Sequence, residues 1–219
     1  MLSIQGYASG NGAEVAANTN AMRVSERPMN VGAFGSYSAG SGSGIMAAGL
    51  AAAAPIFTFR SAAAAGPNVL IRRVTFEAGV LGTAFAAGQC LFQLLVCRAF
   101  TVSDTGGGAL TATTNNMKRR TAFATTAVQD IRCSATATLT AGTRVADASP
   151  LSNIVVPFPA TTVSTILVPF RDLLRYGPEA WPLVLAPNEG FTIQATVPAT
   201  GTWCFDVNVD WDEVPSTEI

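Results

Sequence analysis

Asp206, Asn208, Asp210 and Asp212 are the residues of this chain whose types and spacing come closest to chemistry. Paired carboxylates could serve a glycosidase, and Asp206-x-Asn208-x-Asp210 copies the opening of a calcium-binding loop. That loop needs glycine at its sixth position and a bidentate glutamate at its twelfth, where this chain has Trp211 and Thr217. The polar residues also alternate with Trp203, Phe205, Val207, Val209 and Trp211, the pattern of a strand with one buried and one wet face. Same-face neighbours on a strand stand about 7 Å apart, and no apolar pocket is indicated that would raise a pKa. The expected role of Asp206, Asp210 and Asp212 is a solvated or subunit-facing sheet surface.

Other chemistry is thinner still. The chain has no histidine, which removes His-dependent serine and cysteine triads, His general bases and the common His-containing zinc sites. Gly42-x-Gly44-x-x-Ala47 copies a dinucleotide fingerprint, but no strand signal precedes it and no helix with a ribose-binding acid follows. Thr105-Gly106-Gly107-Gly108 is a turn with no phosphate-loop lysine after it. Lys118-Arg119-Arg120 is the sole cationic cluster, expected to be solvated or paired with a neighbour's acids, because phosphate binding needs a wider basic surface. Cys90, Cys97, Cys133 and Cys204 show no CxxC spacing and read as reduced, buried thiols, with Cys90 and Cys97 on opposite faces of one strand. Trp181, Trp203 and Trp211 read as core or interface anchors rather than a sugar platform. No catalytic, cofactor-binding or metal-ligating residue is expected, and no enzyme activity.

The elements that would position these residues are strands. Ile56–Arg60, Val69–Glu77, Cys90–Phe100, Ile154–Phe158 and Val163–Val168 carry strand signals. Cys90–Phe100 is apolar enough to be a central strand covered on both faces. Trp181–Ala186, Phe191–Val197 and Trp203–Asp212, separated by Pro187–Gly190 and Pro198–Gly201, read as an antiparallel meander. Arg171–Tyr176, before Gly177-Pro178, reads as a short helix. The fold class expected is all-β: an antiparallel β-sandwich of jelly-roll type with one short helix. Residues 1–54, dominated by Gly, Ala, Ser and Asn, read as an extended N-terminal arm, and residues 55–219 as the sandwich domain.

Composition points to assembly. Hydrophobic residues make up 49% and charged ones 12%, about half the usual charged share, with a net charge of −1. So little charge favours a life against other subunits and argues against a dedicated nucleic-acid binder. Ile45–Ala54 is apolar but stops at Pro55, half the length needed to cross a bilayer, so no membrane segment is expected. Met1–Gly12 lacks the basic residues of a secretory signal.

Ile71-Arg72-Arg73-Val74, Gly82–Gln89, Arg98–Gly107, Lys118–Thr121, Ala141–Arg144 with Asp147, and Pro187–Phe191 together resemble a group of virion structural proteins of tailed bacteriophages. The resemblance spans about residues 69–213 and consists of turn and strand punctuation. It implies a β-sandwich component of the phage particle, assembled in the host cytoplasm, with no catalytic residues to carry over. The leading expectation is a capsid decoration or cement protein of the phage head. It would bridge subunits of the major capsid protein, associate with itself as a homotrimer, and take no small-molecule substrate, cofactor or specific nucleic acid. The alternatives are a tail, neck or fibre-attachment component, and a host-glycan-binding module carried by Asp206, Asp210 and the tryptophans.

Overall fold

A computed structural model of the chain describes residues 34–112, 116–140, 142–158, 166–176 and 182–216. Among these the regular elements are all strands: β1 (Gly35–Gly42), β2 (Met46–Ala47), β3 (Ala54–Ala62), β4 (Asn68–Val80), β5 (Gly88–Val102), β6 (Gly108–Ala109), β7 (Val128–Cys133), β8 (Thr143–Ala146), β9 (Ser152–Phe158), β10 (Ile166–Arg175), β11 (Leu183–Leu185), β12 (Gly190–Thr196) and β13 (Thr202–Val214). They build two antiparallel sheets. One has the order β1-β13-β4-β10, with β2 beside β13 and β11 beside β4; the other runs β6-β7-β3-β12-β5-β8, with β9 also beside β5.

The alternation read in the last strand sets the core. Trp203, Phe205, Val207, Val209 and Trp211 are all buried, whereas Asn208 is exposed and Cys204, Asp206 and Asp210 are half-buried. The two sheets meet through aromatic pairs. Phe59 of β3, stacked at 5.2 Å on its neighbour Phe191 within the seven-stranded sheet, meets Trp211 of β13 edge-on at 5.3 Å across the interface. Further along, Phe76 of β4 lies 4.7 Å from Phe92 of β5, and Phe92 lies 5.7 Å from Trp203. Each such pair adds about 0.5–1.5 kcal/mol beyond simple burial.

Three expectations are corrected. Arg171–Arg175 lies in strand β10, not in a helix, because pairing with Arg73–Phe76 of β4 satisfies its backbone; Leu173 is buried and Arg171 and Asp172 are exposed. The C-terminal strands are not a meander: β11 pairs with β4, β12 with β3 and β5, and β13 with β4. The turns at Pro187–Gly190 and Pro198–Gly201 therefore pass the chain from one sheet to the other. The boundary at 54/55 also moves, since Gly35–Gly42 pairs residue for residue with Asp206–Glu213 and Met46 is fully buried. The compact unit containing these strands begins at Val31. The earlier part of the expected arm, Trp181, and Val163–Ser164–Thr165 lie outside the described residues.

Cys90–Phe100 falls within β5, which pairs with β12 on one side and with β8 and β9 on the other. Its outward Leu95 and Cys97 are buried as well as its inward Phe92 and Leu94, as expected for a covered strand.

Candidate functional site

A β-bulge builds a highly charged place on the outer face of the six-stranded sheet. Asp210 of β13 pairs with Arg73 of β4, but Trp211 pairs with Ile71, so Arg72 is the extra residue. A bulge re-aims the side chains beside it. Here it lets Ile71 and Val74 both remain in the core while Arg72 and Arg73 both serve the outer face. Arg175 of β10 sits directly opposite Arg73, a like-charge pairing that costs stability unless acids intervene.

Acids do intervene. Asp172 accepts from Arg73 Nε at 2.5 Å and lies 3.8 Å from Arg175; Asp212 lies 3.3 Å from Arg72. Asp210 accepts from Arg119 Nη2 at 2.5 Å and from the Ser38 hydroxyl at 2.6 Å. The Phe170 ring packs under the Arg73 guanidinium at 5.1 Å. Arg72, Arg73, Arg119, Arg175, Tyr176 and Asp210 line an open cleft of about 300 Å³. Four guanidiniums face three carboxylates, Asp172, Asp210 and Asp212, which leaves one net positive charge.

Arg119 reaches the cleft from a loop that wraps the β1 edge. Ser38 N donates to Met117 O at 2.8 Å and Arg119 N donates to Ser36 O at 2.9 Å. The loop is also tied from inside. Glu213 accepts from the Thr126 hydroxyl and from Ala127 N at 2.9 Å, and the Tyr37 hydroxyl donates to Ala124 O at 3.1 Å. Burial raises the Glu213 pKa, against the opposing pull of Thr126 and the loop amides. Burial, with Glu213 second, pushes Tyr37 up to about 12. Asp212 is also shifted upward, by burial first, with Ser36 and Arg72 pulling it back.

The same outer face carries an acidic depression at its other end. Glu77 of β4 and Asp206 of β13 sit directly opposite each other and, with Ser43 and Cys204, line a hollow of about 220 Å³. The Asp206 carboxylate accepts from the Asn208 amide at 2.7 Å.

The remaining sequence candidates are placed plainly. Asp206, Asp210 and Asp212 do share one outer face, but Asp212 is buried beside Arg72 and only Asp206 and Asp210 reach the surface. Among the described residues no group of three or more acidic or cysteine side chains is placed to hold a metal. Trp203 and Trp211 are fully buried, which removes them as a sugar platform. Ala47, where a dinucleotide fingerprint would enter a helix, is in strand β2. In the Thr105–Gly108 turn, Gly106 and Gly107 take positive φ and the preceding Asp104 is buried against Arg144. Cys90, Cys97 and Cys133 are buried, and burial pushes each up to about 11; Cys204 is half-exposed.

Sequence reasoning missed the arginine cleft and the Glu213 tie. The available signal was Arg72-Arg73 inside a strand, since adjacent residues face opposite ways unless a bulge intervenes. Arg119 was legible as part of a cationic cluster, but its partner is Asp210 of its own chain rather than a neighbour's acid.

What these elements define is an all-β protein of two antiparallel sheets that bears an arginine-lined cleft and an acidic depression on one outer face. No family model matches the chain, and neither the curated proteins nor the solved structures give a match.

Proposed function

We propose that the chain is a structural protein of a phage virion, a jelly-roll β-sandwich that decorates the head and cements subunits of the major capsid protein. One observation carries the assembly reading. Among the described residues, the exposed large hydrophobic residues Val102, Val145, Leu151 and Val155 lie along the edge that β5, β8 and β9 form in the seven-stranded sheet. Val155 stands opposite Leu91 and Val145 opposite Ala99, so each exposed valine has an apolar neighbour across the strand pair, the two pairs lying eight residues apart along β5. Exposed apolar side chains spaced along one sheet edge form a strip of the kind that another subunit can cover. The sparse charge of the chain and the resemblance described from its sequence support the same reading. Self-association as a trimer once seated on the particle, and a bridging role for the residues before Phe34, are parts of the proposal.

The test is the ratio of this chain to the major capsid protein in purified particles, by quantitative mass spectrometry. A ratio near one is expected for a head-wide cement; a few per cent would overturn that role in favour of the neck or tail. The double variant V145D/V155D should remain folded and fail to load onto particles. Unchanged loading would refute the strip as the docking surface.

A further inference from the structure

We infer that the outer face of the six-stranded sheet is a two-fold contact between two copies of this chain, in which Glu77 and Asp206 of one copy enter the arginine cleft of the other. The argument begins with an unbalanced pair. Glu77 and Asp206 are directly opposed on β4 and β13, an arrangement of like charges that destabilises a sheet. Among the described residues, no ion pair with lysine or arginine reaches either of them. The cleft holds the opposite imbalance, with Arg73 on β4 and Arg175 facing it from the neighbouring strand β10. Its Arg73 is held by Asp172 and the Phe170 ring, while Arg175, with its side chain 72% exposed, has only a 3.8 Å contact with that same Asp172.

The spacing makes the two imbalances complementary. Glu77 lies four residues from Arg73 along β4, and Asp206 lies four residues from Asp210 along β13, about 13 Å in each strand. Midway between them, Thr75 and Asn208 are paired across the strands. A two-fold axis lying in the plane of the face, across the strands and over that pair, carries Glu77 of one copy over Arg73 and the adjacent Arg175 of the second, and Asp206 over Asp210, whose carboxylate Arg119 and Ser38 already hold. It carries the second copy's acids onto the first cleft by the same operation. This is the isologous geometry of most two-fold dimers, in which both contacts form together.

What lies between the two patches permits the approach. The outward residues of β1 are Ser36, Ser38, Gly40 and Gly42, none larger than serine. At the axis, Asn208 is exposed, and the buried Thr75 hydroxyl has no hydrogen-bond partner. A small anion in the cleft would leave Glu77 and Asp206 unbalanced, and a cation between those acids would leave the cleft so. A second copy resolves both, and guanidinium groups, being weakly hydrated, suit such a contact. The inference does not rest on the virion reading: the isolated chain can be tested, and the particle ratio stands or falls separately.

The experiment is sedimentation equilibrium of the full chain, with two exposed-site charge reversals, E77K and R175E, checked for native fold by circular dichroism. The wild-type chain should dimerise at about 50 mM salt and dissociate progressively toward about 500 mM, as screening weakens charge contacts. Each reversal alone should raise the dimer dissociation constant at least about tenfold. An equimolar mixture of the two should recover wild-type affinity within about threefold. In the mixed dimer the introduced lysine of E77K faces the introduced glutamate of R175E at one contact, and the native Glu77 and Arg175 face each other at the second. A wild-type chain that stays monomeric at about 100 μM in low salt would overturn the inference. So would association that neither reversal weakens, or a mixture that fails to recover.

Discussion

Replacing Glu213 tests the tie between the last strand and the loop that carries Arg119. The carboxylate is buried on the core side of β13, where Oε1 accepts both the Thr126 hydroxyl and the Ala127 amide, and Oε2 accepts the same amide at 3.2 Å. In Glu213→Leu both donors lose their acceptor. Stranding the buried Thr126 hydroxyl costs about 1–3 kcal/mol and the half-buried Ala127 amide adds less, so the predicted loss is about 2–4 kcal/mol. In Glu213→Gln the amide oxygen can take the Oε1 position and keep both bonds, while the buried charge disappears. The sign of the pH effect follows from the upward shift that burial imposes. The folded chain binds a proton on Glu213 more tightly than the unfolded chain, whose glutamate titrates near about 4.3. The stabilising contribution is therefore complete below that value and is lost as pH rises through the folded-state pKa. Glu213→Gln should equal or exceed wild type at about pH 8, and its advantage should shrink toward about pH 5. Urea titrations of both chains at the two pH values measure this as the shift in midpoint at constant slope. A Gln variant less stable than wild type at both pH values by the same amount would refute the reasoning.

Two further outcomes test the core and its thiols. Cys204 should react with an alkylating reagent in the native protein at neutral pH, while Cys90, Cys97 and Cys133, buried and pushed up to about 11, should react only on unfolding; rapid labelling of two or more thiols would contradict that burial. Phe76→Ala should cost about 3–5 kcal/mol in denaturant titration, because the ring is fully buried between Phe92 at 4.7 Å and Phe205 at 5.9 Å. The exposed Ile45→Ala should change stability by about 0.5 kcal/mol or less, and equal losses at the two positions would refute the assignment of the core.

The strands legible in the sequence are those whose inward residues are large. In β13 five bulky side chains alternate with polar ones, and the period survives into the structure. In β1 only Tyr37 and Ala39 carry an apolar signal, and the rest is Gly and Ser, a composition that reads as arm; its strand is imposed by pairing with β13. β7 was missed for another reason. Val128, Ile131 and Cys133 are buried, but they do not hold a period of two. The helix expected at Arg171–Tyr176 shows local preference losing to tertiary pairing: its residues favour a helix, and β4 offers an otherwise open edge. The acidic face was legible because it alternates. The cleft beside it was not, because a bulge shifts register by one residue and so erases the parity on which such a reading depends.

The placement of the cleft follows from how this sheet manages its edges. β1 is an edge strand, and an open edge invites pairing with another chain. Here the loop carrying Arg119 covers it, through backbone bonds from Ser38 to Met117 and from Arg119 to Ser36, with a bridge between Tyr37 and Lys118. The other long edge, β10, is broken by three register shifts within ten residues, which spoils it as a template for strand addition. With one edge covered and the other irregular, strand-to-strand growth of this sheet is suppressed on both sides. Its outer face is what remains for contact, and both edge devices deliver arginines to it: the covering loop brings Arg119, and the irregular strand brings Arg175. The features that block edge association thus supply the charges for a face-to-face one.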